Sequence, residues 1–262
     1  MTSLNLIRVP VATNALARWA GERGWARGHG RVAAFDEGRA LHHLLSEILG
    51  PGVLRPFRML VPPRRTQGNL YGYSKLDAVA LHAAARAHAL PDHLSVLSLD
   101  RLEGKPMPNI WRVGQRLGFD LRVRPIRRLR SEWSTPSGEK ISQGSEIDAF
   151  LLEVLRQHPT APDGMVEENR TREVVYLDWL AQRLAPAAEL NRSTSRLARF
   201  RRTRVSRGNS GLEGPDATIH GTLTVTDSAA FAGLLARGVG RHRAYGYGML
   251  LLRPPNRPAP ER

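Results

Sequence analysis

The 262-residue chain contains no cysteine. Disulfides, thiolate zinc sites and cysteine nucleophiles are excluded together, and a reducing, cytoplasmic setting fits. No run of roughly 18 apolar residues occurs, so no membrane span is expected. Residues 1–10 lack a basic start followed by a long apolar core, and no secretory signal is expected. No His-x-x-x-His pair sits beside a carboxylate, so neither a metal nor another cofactor is expected. Lysine is scarce: Lys75, Lys105 and Lys140 are the only three.

What is present is arginine. Thirty-nine basic residues against twenty-four acidic ones leave a formal charge of +15. Arginine-favouring codon usage would explain the Arg/Lys ratio but not the excess charge. A planar guanidinium fork holds phosphate oxygens bidentately, and the charge points to a polyanionic partner. An acidic membrane surface fits less well, because no basic amphipathic helix with a strong apolar face is evident. Apolar residues make up 41% of the chain, enough to build a core and to exclude disorder throughout.

Residues 4–11 alternate as a first strand. Residues 14–25 read as a short helix or loop, and 27–31 (RGHGR) as a mobile basic loop. Residues 36–49 (DEGRALHHLLSEIL) are the clearest helix. Asp36 is the N-cap, Gly50-Pro51 the stop, and Leu41, Leu44, Leu45, Ile48 and Leu49 form the apolar face. A strand at 57–61, a helix at 74–90 and a short strand at 94–99 follow. The Gly/Pro-rich stretch 103–115 reads as an inter-domain linker. Beyond it the pattern gives a strand at 117–123, a polar loop at 134–145 and helices at 147–156 and 173–184. A strand at 217–225, a helix at 228–237, a strand at 249–253 and a disordered tail close the chain. Strand–helix–strand order occurs twice, which makes the fold α+β.

The most specific segment is residues 238–248, GVGRHRAYGYG. Its four glycines allow left-handed backbone and close approach. Successive amides in such a loop can face phosphates, Arg241, His242 and Arg243 add charge, and Tyr245 and Tyr247 can stack on bases. A nucleotide phosphate loop is the rival. It fails because G-x-x-x-x-G-K-S/T is absent and the loop runs from helix to strand. The plainest alternative is a tight connection that merely uses glycine.

This segment, with the following MLLL, resembles the C-terminal glycine-rich motif of the RAMP superfamily of CRISPR proteins, most of all the CasE-type repeat-processing endonucleases. DEGRALHHLL is similar to the family's first-helix motif, in which an aromatic residue and, three positions on, a histidine serve cleavage. GQRLGFDLRVRPIRRL and YLDWLAQRL resemble elements of the second domain. The resemblance implies two tandem ferredoxin-like (RRM-like) domains, divided here as residues 1–105 and 106–262. It implies metal-independent cutting of the CRISPR repeat at its stem base, a 2′,3′-cyclic phosphate, retention of the product, and assembly with other effector subunits. The family histidine falls on His42, and the aromatic position falls on Arg39, a departure. Residues 131–172 have no counterpart in the shorter relatives. They read as an added helical insertion and point to a divergent branch such as the type IV systems.

Helical geometry puts His42 at the edge of the leucine face, with Arg39 and Ser46 on the same flank and His43 on the opposite side. Histidine can accept a proton near neutral pH, whereas arginine stays protonated and stabilises charge. Arg23, with Arg18 and Arg27 nearby, is a candidate phosphate clamp, so the catalytic candidates are His42, Arg39, Arg23 and Arg243. A structural histidine at the core edge is the bland alternative for His42. Residues 192–207 carry Arg192, Arg196, Arg199, Arg201, Arg202, Arg204 and Arg207 without one acid. Their pattern suits a helix or a strand, and the resemblance favours a hairpin able to enter an RNA groove. Arg128 belongs to a third basic run with Arg122, Arg124, Arg127 and Arg130. The competing functions are a non-catalytic RNA-binding subunit of the same fold and, more weakly, a DNA-binding regulator, for which no helix-turn-helix is visible.

Overall fold

A computed structural model of the chain describes residues 3–25, 35–134, 138, 140–157, 171–207 and 210–255. The expected basic loop at 27–31, Arg27, the middle of the expected insertion (158–170) and most of the expected tail lie outside these residues.

The first half runs β1 (Asn5–Ala12), α1 (Thr13–Glu22), α2 (Glu37–Leu49), β2 (Phe57–Leu60), β3 (Gln67–Ser74), α3 (Ala78–His88), α4 (Pro91–Val96) and β4 (Glu103–Pro106). Its sheet is antiparallel in the order β2-β3-β1-β4. The second half begins with β5 (Arg116–Val123). It continues through the short strands β6 (Ile126–Arg128), β7 (Trp133–Ser134), β8 (Lys140–Ile141) and β9 (Glu146–Asp148) to the helices α5 (Ala149–Gln157) and α6 (Arg172–Leu184). The hairpin β10 (Ala188–Arg207) and β11 (Ser210–Val225), helix α7 (Ser228–Arg237) and β12 (Leu250–Arg253) complete it. Its main sheet has the order β10-β11-β5-β12. Counting only main-sheet strands, both orders read second–third–first–fourth, the ferredoxin-like arrangement, so the chain is two such α+β units in tandem.

The period of two along β1 explains how the halves meet. Ile7, Val9 and Val11 enter one core with Leu16, Trp19, Leu41, Leu44 and Ile48. Leu4 and Leu6, on the opposite face of the strand, pack against the second core, built around Phe119, Leu121, Trp179 and Phe231. Each fully buried leucine is worth about 1.5–3 kcal/mol. The Tyr73 hydroxyl crosses the seam to donate to the Leu250 carbonyl at 2.9 Å. Arg58 and Asp120, both buried, pair across it at 3.0 Å. Asp120 also lies 3.0 Å from His220 Nε2 and accepts from Arg253 at 2.7 Å, so two arginines and a histidine share one carboxylate.

Four expectations are corrected. Residues 67–74 form β3, with Ser74 its last residue; the polar QGNLYGYS run hid a strand whose partners lie on both sides. Residues 91–96 are helix α4, begun by Pro91, and only Leu97 bridges to Val11. The expected linker starts with β4, an exposed edge strand that can end in proline because its outer amide needs no partner. The described part of 131–172 is mostly a small mixed unit rather than a helical finger: β6 pairs β9, β7 pairs β8, and α5 packs on Leu129, Ile147, Trp133 and Ile141.

Candidate functional site

Helix α2 is capped by the Asp36 carboxylate, which accepts from the Arg39 amide at 3.0 Å. Its apolar face is buried as expected, which leaves Gly38, Arg39, His42 and His43 at the rim. The glycine loop folds back onto this helix. It is left-handed at Gly238, Gly240, His242, Gly246 and Gly248, and residues Arg243 to Tyr245 form one 3-10 turn. The amides of Gly238, Val239, Tyr245 and Gly248 bond within the protein, so these four do not form the expected phosphate nest.

Gly38 lies directly under the carbonyl of Tyr245, where a β-carbon would collide with backbone. Gly38→Ala raises helix propensity by about 1 kcal/mol yet must displace the Tyr245 backbone, an overpacking that costs about 1–3 kcal/mol. The RNA cleavage that the resemblance implies is expected to fall by roughly 100-fold, with a lower melting temperature. A single-turnover assay beside a thermal melt checks this, and an unchanged rate would remove the loop–helix contact from the site.

The His42 ring packs on Tyr245 with centroids 5.1 Å apart. It lines a small cleft with Ser46, Arg55, Phe57 and Ala244. Partial burial, then His43 and Arg55, hold its imidazole below the usual value. Arg243 donates to the Arg237 carbonyl at 2.6 Å. Burial and the nearby guanidiniums of Arg55, Arg237 and Arg241 lower its pKa. Arg55 was missed in the sequence because it sits in an irregular turn with no pattern. His43 is not opposite His42: the rings are 5.2 Å apart, and His43 stacks on Trp25 at 4.3 Å.

Glu146 on β9 anchors the loop. It accepts from Arg241 Nε at 2.6 Å and lies 2.7 Å from His242 Nε2. These partners, His242 first, hold its carboxyl at about 2. His242 is therefore buried and intramolecularly bound rather than presented to a ligand, and one edge of Arg241 is occupied. Neither attachment was legible, since Glu146 is 95 residues before Arg241.

Arg39 lies 6.0 Å from the Trp25 ring, on the His43 side. Arg23 covers the Trp19 ring at 4.1 Å, binds Asp92 at 3.0 Å and approaches Glu47 at 3.8 Å. It ties α1 to α4 and α2 and is not joined by any described contact to His42. Of the four catalytic candidates, then, His42 and Arg243 flank the turn that bears Tyr245, while Arg39 and Arg23 serve a neighbouring aromatic cluster.

Residues 192–207 fall in β10, a strand. Asp216 and Glu213 on β11 and Asp178 on α6 supply the acids this run lacks: Arg201 binds Asp216 at 2.8 Å, Arg202 binds Glu213 at 3.0 Å and Arg192 binds Asp178 at 2.6 Å. Arg196 and Arg199 are exposed, and Arg204 and Arg207 belong to the same strand. Arg122 holds Asp216 with two bonds of 2.9 and 2.7 Å and lies 4.5 Å from the buried Tyr247 ring, so Tyr247 serves packing rather than base stacking. Arg202, Thr203, Tyr245 and Glu37 line a recess of about 400 Å³ between hairpin and α2. Burial pushes the Glu37 carboxyl up against the pull of Arg122, Arg201 and Arg58. Arg128 is exposed and donates to the Gly144 carbonyl at 3.1 Å. Among the described residues no three His, Asp or Glu side chains converge as a metal set, and no helix is long and apolar enough to cross a membrane.

A family model described as CRISPR associated protein matches residues 6–254. The chain belongs to this CRISPR-associated family. Its fold is similar to that of the CRISPR endoribonuclease Cse3 bound to a 19-nucleotide RNA, with TM-score 0.61, 16% identity, and coverage of 96% of this chain and 100% of that one. Thermus thermophilus Cse3 bound to an RNA representing a pre-cleavage complex gives 0.60 at 17% identity, covering 96% and 100%. The CRISPR-associated protein Cas6e from Escherichia coli str. K-12 gives 0.56 at 17%, covering 95% and 99%. No curated protein sequence matches at a significant level. For this CRISPR-associated chain the glycine-rich segment thus pointed to the right family, although several of its side chains turn out to hold the loop together.

Proposed function

We propose that the protein is a metal-independent endoribonuclease that cuts CRISPR repeat stem-loops in precursor RNA and keeps the mature product. One observation carries this reading: His42, Tyr245, Arg55 and Arg243 meet where the glycine loop crosses α2, at the seam between two ferredoxin-like units. The fold relatives, named as endoribonucleases in complex with RNA, support it. A CRISPR RNA-guided surveillance complex with a subunit of similar fold (TM-score 0.51, 14% identity) supports other effector subunits as partners.

In this mechanism the substrate's 2′-hydroxyl attacks the adjacent phosphorus in line. His42, neutral at pH 7, takes the hydroxyl proton. Arg55 and Arg243 hold the negative charge that builds on the phosphoryl oxygens. The 5′-oxygen leaves with the bond pair and takes a proton from water, giving a 2′,3′-cyclic phosphate and a 5′-hydroxyl, and His42 returns its proton to solvent. Tyr245 lies along the Gly38–His42 stripe and gives this site an aromatic ring, which α2 lacks at Arg39. Arg196 and Arg199 present the hairpin's charge to the stem, and the two halves, residues 1–105 and 106–262, grip the RNA as separate domains.

Incubation with a labelled repeat RNA in EDTA tests the reading. Cleavage at one site at the stem base is expected, and a 2′-deoxy nucleotide there should abolish it. Tight binding with intact RNA would favour a non-catalytic subunit, a reading that Arg39 at the aromatic position favours. Normal cutting of the deoxy substrate would overturn the mechanism.

A further inference from the structure

The glycine loop walls a second recess, of about 500 Å³, closed by β6 and the ends of α6 and α7. Arg128, Arg183, Arg237, Arg241 and Arg243 line it, and no lining residue is a carboxylate. Arg237 and Arg243 also line an adjoining recess of about 470 Å³ with Arg55 and Lys75. Arg55 in turn lines the cleft that holds His42. Cationic surface is therefore continuous from His42 past Arg55 and Arg243 to Arg128 and Arg183, around the loop and away from the hairpin.

The charge on this path is largely uncompensated. Arg241 is held by Glu146, but among the described residues Arg128 and Arg243 donate to neutral carbonyls, at Gly144 and Arg237. Arg183 lies over the Trp179 ring at 5.5 Å, and Arg237 is exposed. Burial first, and then the like charges of Arg55, Arg237 and Arg241, lower the pKa of Arg243. Clustered guanidiniums repel one another unless an anion joins them. A recess of this size, set between helix ends, admits a single strand of phosphates. It does not admit a duplex, whose phosphates lie on a broad convex surface.

We propose that this second recess binds the phosphates of an unpaired RNA segment that continues from the nucleotide held at His42. The proposal rests on the endoribonuclease reading and extends it: the hairpin addresses the stem, and the path behind the glycine loop addresses the single-stranded flank.

The test uses Arg183→Ser combined with Arg237→Ser, two exposed positions outside the His42 cleft. Affinity is measured by fluorescence anisotropy for a bare repeat stem-loop and for the same stem-loop carrying an unpaired flank on the 5′ or the 3′ side, each 2′-deoxy at the cut. The wild type should bind one flanked RNA at least about tenfold more tightly than the bare stem-loop. The double variant should lose most of that gain and bind the bare stem-loop as before. Its salt slope on flanked RNA should fall by about 0.7 per lost phosphate contact. Equal losses on both RNAs would overturn the proposal. So would a wild type that binds the bare stem-loop tightly without gaining from either flank, although the endoribonuclease reading would then survive. Displacement of the flank by polyglutamate at equal charge would assign the recess to an acidic peptide instead. Failure of the wild type to bind either RNA would remove both readings.

Discussion

Replacing His42 by alanine should slow single-turnover cleavage of a repeat stem-loop by about 100- to 10,000-fold while leaving RNA affinity within about threefold. The ring borders the cleft rather than the centre of the core, so its loss removes little packing. The proton-accepting role proposed for it suits its surroundings: burial, His43 and Arg55 all disfavour the imidazolium. The sign is direct. A histidine whose pKa is lowered is neutral, and so competent as a base, over a wider range of pH. The cleavage rate should therefore rise with pH and level off below pH 6.5, the ordinary histidine value. A plateau reached only above pH 7, or an alanine variant that cuts within threefold of wild type, would move the chemistry to Arg55, Arg243 and substrate geometry alone.

The second large effect is expected at Glu146. Removing its carboxylate by Glu146→Ala leaves His242, which is 8% exposed, and Arg241 without their anion. Breaking such a buried pair costs about 3–5 kcal/mol, a drop in melting temperature on the order of 10 °C for a chain of this size. The loss should reach the glycine loop first, because Glu146 is what ties the loop to β9. Cleavage should thus fall well below the melting transition. Glu146→Gln keeps hydrogen-bonding capacity without charge and should fall between the two. The pH dependence has a defined sign. The folded pKa, about 2, lies below the ordinary 4.5, so the stabilisation is complete above pH 4.5 and is lost as pH falls toward 2. Chemical denaturation at pH 7, 4 and 3 checks this. A wild type equally stable at all three would show that other carboxylates dominate acid unfolding. A Glu146→Ala variant that melts with the wild type at pH 7 would show that the clamp does not hold the loop.

The residues that misled show where sequence reasoning stops. The seven arginines of β10 look like charge awaiting an RNA, yet three of them are paired by Asp216, Glu213 and Asp178 from other elements. The glycine loop's His242 looks like a ligand and is a buried anchor. Arg55, which reaches the His42 cleft, looks like nothing at all. In each case the missing information is the identity of a partner distant in the chain.

Local chemistry alone determined the elements that carry their own signals. The period of the leucines, the Asp36 cap and the Gly-Pro stop specify α2, and the repeated strand–helix order specifies an α+β chain. The glycine-rich run specifies the family, and the excess of arginine over acid specifies an anionic partner. Only the tertiary structure decided which guanidiniums remain free to meet that partner. Charge compensation acts over a few ångströms in space, between strands and helices that fold together from positions up to 133 residues apart. A strand such as β3, polar in sequence and held by neighbours on both edges, is likewise recognisable only once those neighbours are in place.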